Sequence, residues 1–115
     1  NMKINPIPME MLTETAVLMT EISRDEWGKV KYSETQLKNI AVRPAAANSE
    51  NSSSQTELFS GTLYFDAARS CPPETEFIPS KQLVVYGGKT YRVMSAEKFT
   101  AFGRSHHTKV RLGKA

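Results

Sequence analysis

Gln-Leu-Val-Val-Tyr at 82–86, Gly87-Gly88, then Lys-Thr-Tyr-Arg-Val-Met at 89–94 is the stretch that decides the fold. Two runs of β-branched and aromatic residues flank a pair of glycines. A two-residue hairpin turn needs positive φ at both central positions, which glycine adopts without a steric penalty. The stretch therefore predicts a β-hairpin. Alternation along its second strand sets Thr90, Arg92 and Met94 on one face and Tyr91 and Val93 on the other.

The period of two extends in both directions from this hairpin. Upstream, residues 58–65 place Phe59, Leu63 and Phe65 on one face and Leu58, Ser60, Thr62 and Tyr64 on the other. Between them and the hairpin lies a long connection bearing Pro72, Pro73 and Pro79, with room for a short turn of helix at 66–70. Downstream, residues 107–112 form the last strand, with Thr108, Val110 and Leu112 opposite His107, Lys109 and Arg111. Near the N-terminus, Thr and Val at several positions favour a strand over a helix at 13–22. A polar turn at 23–29 holds the sole tryptophan, Trp27. A further strand is expected from 30 to 43, broken near 33–36, with Ile40 and Val42 on one face. These readings give a mainly β chain, a small β-barrel or sandwich of about six strands with at most one short helix.

Residues 44–57 stand apart. They read Pro-Ala-Ala-Ala-Asn-Ser-Glu-Asn-Ser-Ser-Ser-Gln-Thr-Glu, without one large aliphatic or aromatic side chain. Connections in compact domains are usually about 4–6 residues, so a long structureless one is functional or disordered. The expectation is a long mobile loop between two strands, with Asn48, Ser49, Glu50, Asn51, Ser52, Ser53 and Ser54 as candidate contact residues.

At 115 residues the chain is read as one domain, 1–115, with an irregular segment at 1–10. Asn1 ahead of Met2 reads as an addition, with Met2 the natural start. Hydrophobic residues make up 39%, so the core is thin and partner subunits are expected to cover some apolar surface. No apolar run approaches the roughly 18–20 residues of a membrane span, and no membrane partner is expected. Residues 2–20 lack the layout of a signal peptide. The single cysteine, Cys71, allows no intramolecular disulfide and sits in no motif that activates a thiolate, which fits a reducing site of synthesis.

Charge is divided unevenly. Residues 1–80 hold seven Lys/Arg against eleven Asp/Glu, whereas residues 81–115 hold eight against Glu97 alone. Such a division marks a nucleic-acid surface, or a basic face that meets an acidic face on the next copy, or plain solvated charge. If the hairpin and the last strand are neighbours, Arg92, Lys109 and Arg111 form a basic stripe. Like charges side by side repel unless an anion or an acidic partner answers them.

Signs of chemistry are few. His106 and His107 are adjacent, and neighbours in a strand point to opposite faces, so they are not expected to share a metal ion. No Gly-x-Ser-x-Gly is present, and Gly87-Gly88-Lys89-Thr90 lacks the upstream glycine and the helix of a phosphate-binding loop. No catalytic residue, metal or cofactor is expected.

Several segments in order carry a resemblance. They are Asn-Ile-Ala-Val-Arg-Pro at 39–44 followed by the polar loop, Leu-Tyr-Phe-Asp at 63–66, and Ser-Cys-Pro-Pro at 70–73. The hairpin at 81–93 and His-His-Thr-Lys-Val-Arg-Leu at 106–112 complete the set. Together they cover most of residues 30–112, and the set resembles the minor capsid, head-tail connector family of long-tailed bacteriophages, the small head-closure or stopper proteins. The resemblance implies a β-barrel in the virion neck of a phage or prophage, made in the bacterial host cytoplasm. It implies a ring of copies beneath portal and adaptor proteins, with tail proteins and passing DNA, bound without sequence specificity, as further partners. The loop at 44–57 would then project into the DNA channel and help close it. A nucleic-acid-binding barrel and a tail-completion or tail-tube component remain the alternatives.

Overall fold

A computed structural model describes residues 11–44, 61–101 and 104–115. Its strands are β1 (Glu14–Arg24), β2 (Val30–Pro44), β3 (Gly61–Asp66), β4 (Gln82–Tyr86), β5 (Lys89–Ala101) and β6 (Arg104–Lys114). All neighbours are antiparallel, and the sheet closes on itself as a barrel in the order β1-β2-β3-β6-β5-β4. The closing seam pairs Val17 with Val85 and Thr20 with Gln82. Of the two architectures open at the sequence level, the chain adopts the barrel.

Every strand contributes to one core. Ala16, Leu18, Leu37, Ile40, Val42, Leu63, Phe65, Val84, Val93, Val110 and Leu112 are buried together, with Phe77, Tyr86, Tyr91 and Ala96 packed against them. Burying a Val or Leu side chain fully is worth roughly 1.5–3 kcal/mol. The hairpin is as expected: Tyr86 pairs with Lys89, and Gly87 and Gly88 take φ of +59° and +78°. Glu14 fastens three strands near this turn. Its carboxylate accepts from the Tyr86 hydroxyl and, at 2.7 Å, from the Val42 amide. The hydrogen bond to Glu14, with burial behind it, pushes the Tyr86 phenol above its ordinary value.

Two expectations need correction. No break occurs at 33–36; β2 runs unbroken, with Ser33, Glu34, Thr35 and Gln36 each paired to β1. Polar residues are stable there because this part of β2 pairs with β1 on one side only, β3 joining β2 from Ile40 onward, and Ser33, Glu34 and Gln36 are exposed along that edge. The irregularity falls instead at Asn39, whose φ is +56°. Pro44, expected as the first loop residue, pairs with Gly61 as the last residue of β2. The remainder of the 44–57 loop, Asn48 to Ser54 included, lies outside the described residues, as does the 1–10 segment.

Residues 66–70 make a single turn, closed by the Ser70 amide donating to the Asp66 carbonyl at 3.0 Å. The Asp66 carboxylate accepts from the amides of Ala68 (2.8 Å) and Arg69 (2.9 Å), an arrangement that holds a turn without extending it into a helix.

Candidate functional site

Pairing defines two different ends of the barrel. Because β1, β3 and β5 run in the same direction, the tips of hairpins β1–β2 and β5–β6 and the start of the 67–81 connection share one end. Both hairpins outrun their neighbours there. β1 pairs with β4 only over Val17–Thr20, and β2 meets β3 only from Ile40 onward, so the rest of that hairpin stands out as an arm. β5 pairs with β4 only as far as Arg92, and its Ser95–Ala101 portion pairs with β6 alone. The opposite end holds the Gly87-Gly88 turn and the Pro44–Gly61 pair from which residues 45–60 connect β2 to β3.

The predicted stripe maps onto neighbouring strands. Arg92 lies opposite Gly113, Arg111 opposite Ser95, and Lys109 opposite Glu97, all on the outer face by alternation. A bulge between Val93 and Ser95 resets the register so that the basic positions run past Glu97. Arg43 joins them, which sequence reasoning missed. It pairs with Thr62, and Thr62 pairs with Arg111, so Arg43 and Arg111 lie two strands apart, about 10 Å between backbones. The Arg43 guanidinium is 3.5 Å from the Glu14 carboxylate. Nothing in the sequence encodes that register. The result is a belt of Arg43, Arg111 and Arg92 at the end where residues 45–60 begin and return, with Lys109 one step further along.

Aromatic residues near the stripe divide in two. Tyr86 and Tyr91 pack against the core, whereas Phe99 is 40% exposed and stacks on His107 at 4.7 Å. The two histidines correct a sequence expectation. β6 carries one residue more than β5 between the pairs Phe99–His107 and Thr100–Ser105, which makes His106 the bulged residue. That bulge swings adjacent rings together, with Nδ1 to Nδ1 at 2.7 Å. One Nδ1–H donates to the other Nδ1 lone pair, so the contact needs an unprotonated Nδ1 on one ring. Burial, then the charge of His106, pushes the His107 imidazole below its ordinary value; Asp66 opposes this and Lys109 adds to it. Among the described residues, no three of His, Cys, Asp and Glu gather where they could hold a metal ion.

At the arm end, two polar residues pin the 67–81 connection. Asn39 donates from Nδ2 to the Arg69 carbonyl at 3.2 Å. Gln82, only 3% exposed, donates to Thr20 Oγ1 (3.0 Å) and the Glu76 carbonyl (2.9 Å) and accepts from the Ile78 amide (2.6 Å).

A family model described as "Minor capsid protein" matches residues 8–108. The chain belongs to the minor capsid protein family. No curated protein matches it. This minor capsid protein is therefore a phage structural protein and a component of the virion. The match spans β1 to β5 and the first part of β6.

Proposed function

We propose that this minor capsid protein is a head-tail connector of the phage or prophage neck. It assembles as a ring at the portal vertex and helps close the DNA channel. The observation that carries the reading is the register bringing Arg43, Arg92 and Arg111 to the barrel end from which residues 45–60 connect β2 and β3. In a ring with that end toward the axis, the belt and the small polar residues 48–54 face passing DNA. Guanidinium groups meet phosphate without reading sequence, which suits DNA that slides. Portal or adaptor proteins and tail proteins are the neighbours above and below. The role is mechanical and needs no catalysis, metal or cofactor.

The test is charge reversal at Arg92, Lys109 and Arg111, with particles assayed for incorporation and for retention of packaged DNA. The reading expects both to fall. Unchanged incorporation and retention would remove its support. The isolated protein separates this reading from a free-standing nucleic-acid-binding barrel. Tight oligonucleotide binding by the monomer with a steep salt slope belongs to that alternative.

A further inference from the structure

The one tryptophan stands at the tip of the first arm. Trp27 is 85% exposed, and Ile22 on the same arm is 63% exposed. The turn beneath the indole is firmly built. Asp25 Oδ1 accepts from the amides of Trp27 (2.9 Å) and Lys29 (2.8 Å), and Gly28, at φ +84°, donates to the Asp25 carbonyl at 3.1 Å. A large apolar side chain held in water on an ordered turn forgoes burial energy. Tryptophan in such a setting is the residue type most enriched among interface anchors.

A matching recess lies at the base of the same arm. It is an open hollow of about 350 Å³ between β1, β2 and the connection, whose lining mixes Leu18, Pro72, Pro73 and Ile78 with Glu76, Gln82 and three threonines. Its walls are fixed by the three hydrogen bonds of Gln82. Glu74 and Glu76 are exposed on the connection, and Lys29 and Lys31 are exposed on the arm. None of these four makes an ion pair among the described residues. The indole offers an apolar side chain to Pro72, Pro73 and Ile78, and Lys29 and Lys31, which share the arm with Asp25 and Glu26, offer cations to Glu74 and Glu76. The arm cannot serve its own hollow. The ladder from Thr20–Ser33 to Arg24–Val30 carries the turn roughly 13 Å beyond it.

We infer that the Trp27 turn of one copy seats in the Pro72–Pro73–Ile78 hollow of the next copy. The contact is heterologous, two different patches meeting, and such contacts close into rings when the rotation permits. The inference rests on the ring reading and names the contact that builds the ring.

Cross-linking tests it in the full chain. Cys71 is exposed beside the hollow, so Cys71→Ser is the background. Trp27→Cys and Ile78→Cys variants are oxidised separately and mixed. The expected result is a cross-linked dimer in the mixture that far exceeds either variant alone. In the otherwise unaltered chain, Trp27 emission shifts to the blue as concentration rises. Ile78→Asp abolishes that shift, and Trp27→Ser weakens self-association by about thirtyfold or more, the scale of an anchor truncation. Trp27→Cys joined mainly to itself overturns the inference in favour of an isologous dimer. Rings that form with unshifted emission and no mixed cross-link overturn it and leave the ring reading standing. A shift seen only on adding phage heads, without cross-links between copies, overturns it in favour of another particle protein. Monomers at every concentration and on heads overturn both.

Discussion

Lys109 on β6 stands directly opposite Glu97 on β5, whereas Arg111, two residues along, stands opposite Ser95. The stripe thus carries one acidic member, at the position furthest from the belt. Lys109→Glu sets two carboxylates across from each other and is expected to cost roughly 0.2–1 kcal/mol of stability in urea unfolding. Arg92→Glu, opposite Gly113, is expected to leave stability within about 0.5 kcal/mol, while reducing DNA retention in particles. Equal effects of the two variants in both assays would contradict this division.

Gln82 supports the hollow and the connection together. Gln82→Leu removes three hydrogen bonds and leaves the Ile78 amide and Glu76 carbonyl without that partner. A loss of about 1–3 kcal/mol is expected, read as a lowered urea midpoint with an unchanged slope. A midpoint within error of the parent would show that the amide contributes nothing to the connection.

Asn39 combines a left-handed backbone with a side-chain hydrogen bond to Arg69. Asn39→Gly keeps the conformation and loses only the bond, about 0.5–1.5 kcal/mol. Asn39→Val also meets the left-handed penalty of about 1–2 kcal/mol. The ranking expected from thermal melts is Asn39, then Gly, then Val. Val matching Gly would mean that the strand relaxes around the site.

His107 gives the barrel an acid limit. Its neighbours are Asp66 on β3, Glu97, Lys98 and Phe99 on β5, and His106 and Lys109 on β6. A folded-state value below the unfolded one means the unfolded chain takes up the proton first. Stability from this group is fully present above the unfolded value, near pH 6.5, and is lost as pH falls from there through the folded value. The melting temperature should therefore decline from pH 7.5 to 5.5, and His107→Gln should flatten that part of the profile. A parallel decline in both proteins would assign the effect elsewhere.

What the sequence disclosed was local. Gly87-Gly88 marked the hairpin because only positive φ closes so short a turn, and alternation separated Val93, Val110 and Leu112 from Arg92, Lys109 and Arg111. Cross-strand register was not legible. The place of Arg43 in the belt depends on β3 lying between β2 and β6, which no local pattern encodes. Polarity at 33–36 suggested a break because an alternating pattern reports burial, and a strand paired on one side only has little to bury there. The His106–His107 contact escaped notice for a similar reason, since strict alternation fails where a bulge adds one residue.

As a head-tail connector, this protein forms a ring at the vertex joining head and tail. Cryo-electron microscopy of intact particles, compared with particles lacking this protein, tests it most directly. The expected difference is a single ring of density between head and tail, with the Pro44–Gly61 end of each barrel toward the axis. Copies distributed over the capsid shell, or stacked along the tail, would contradict it.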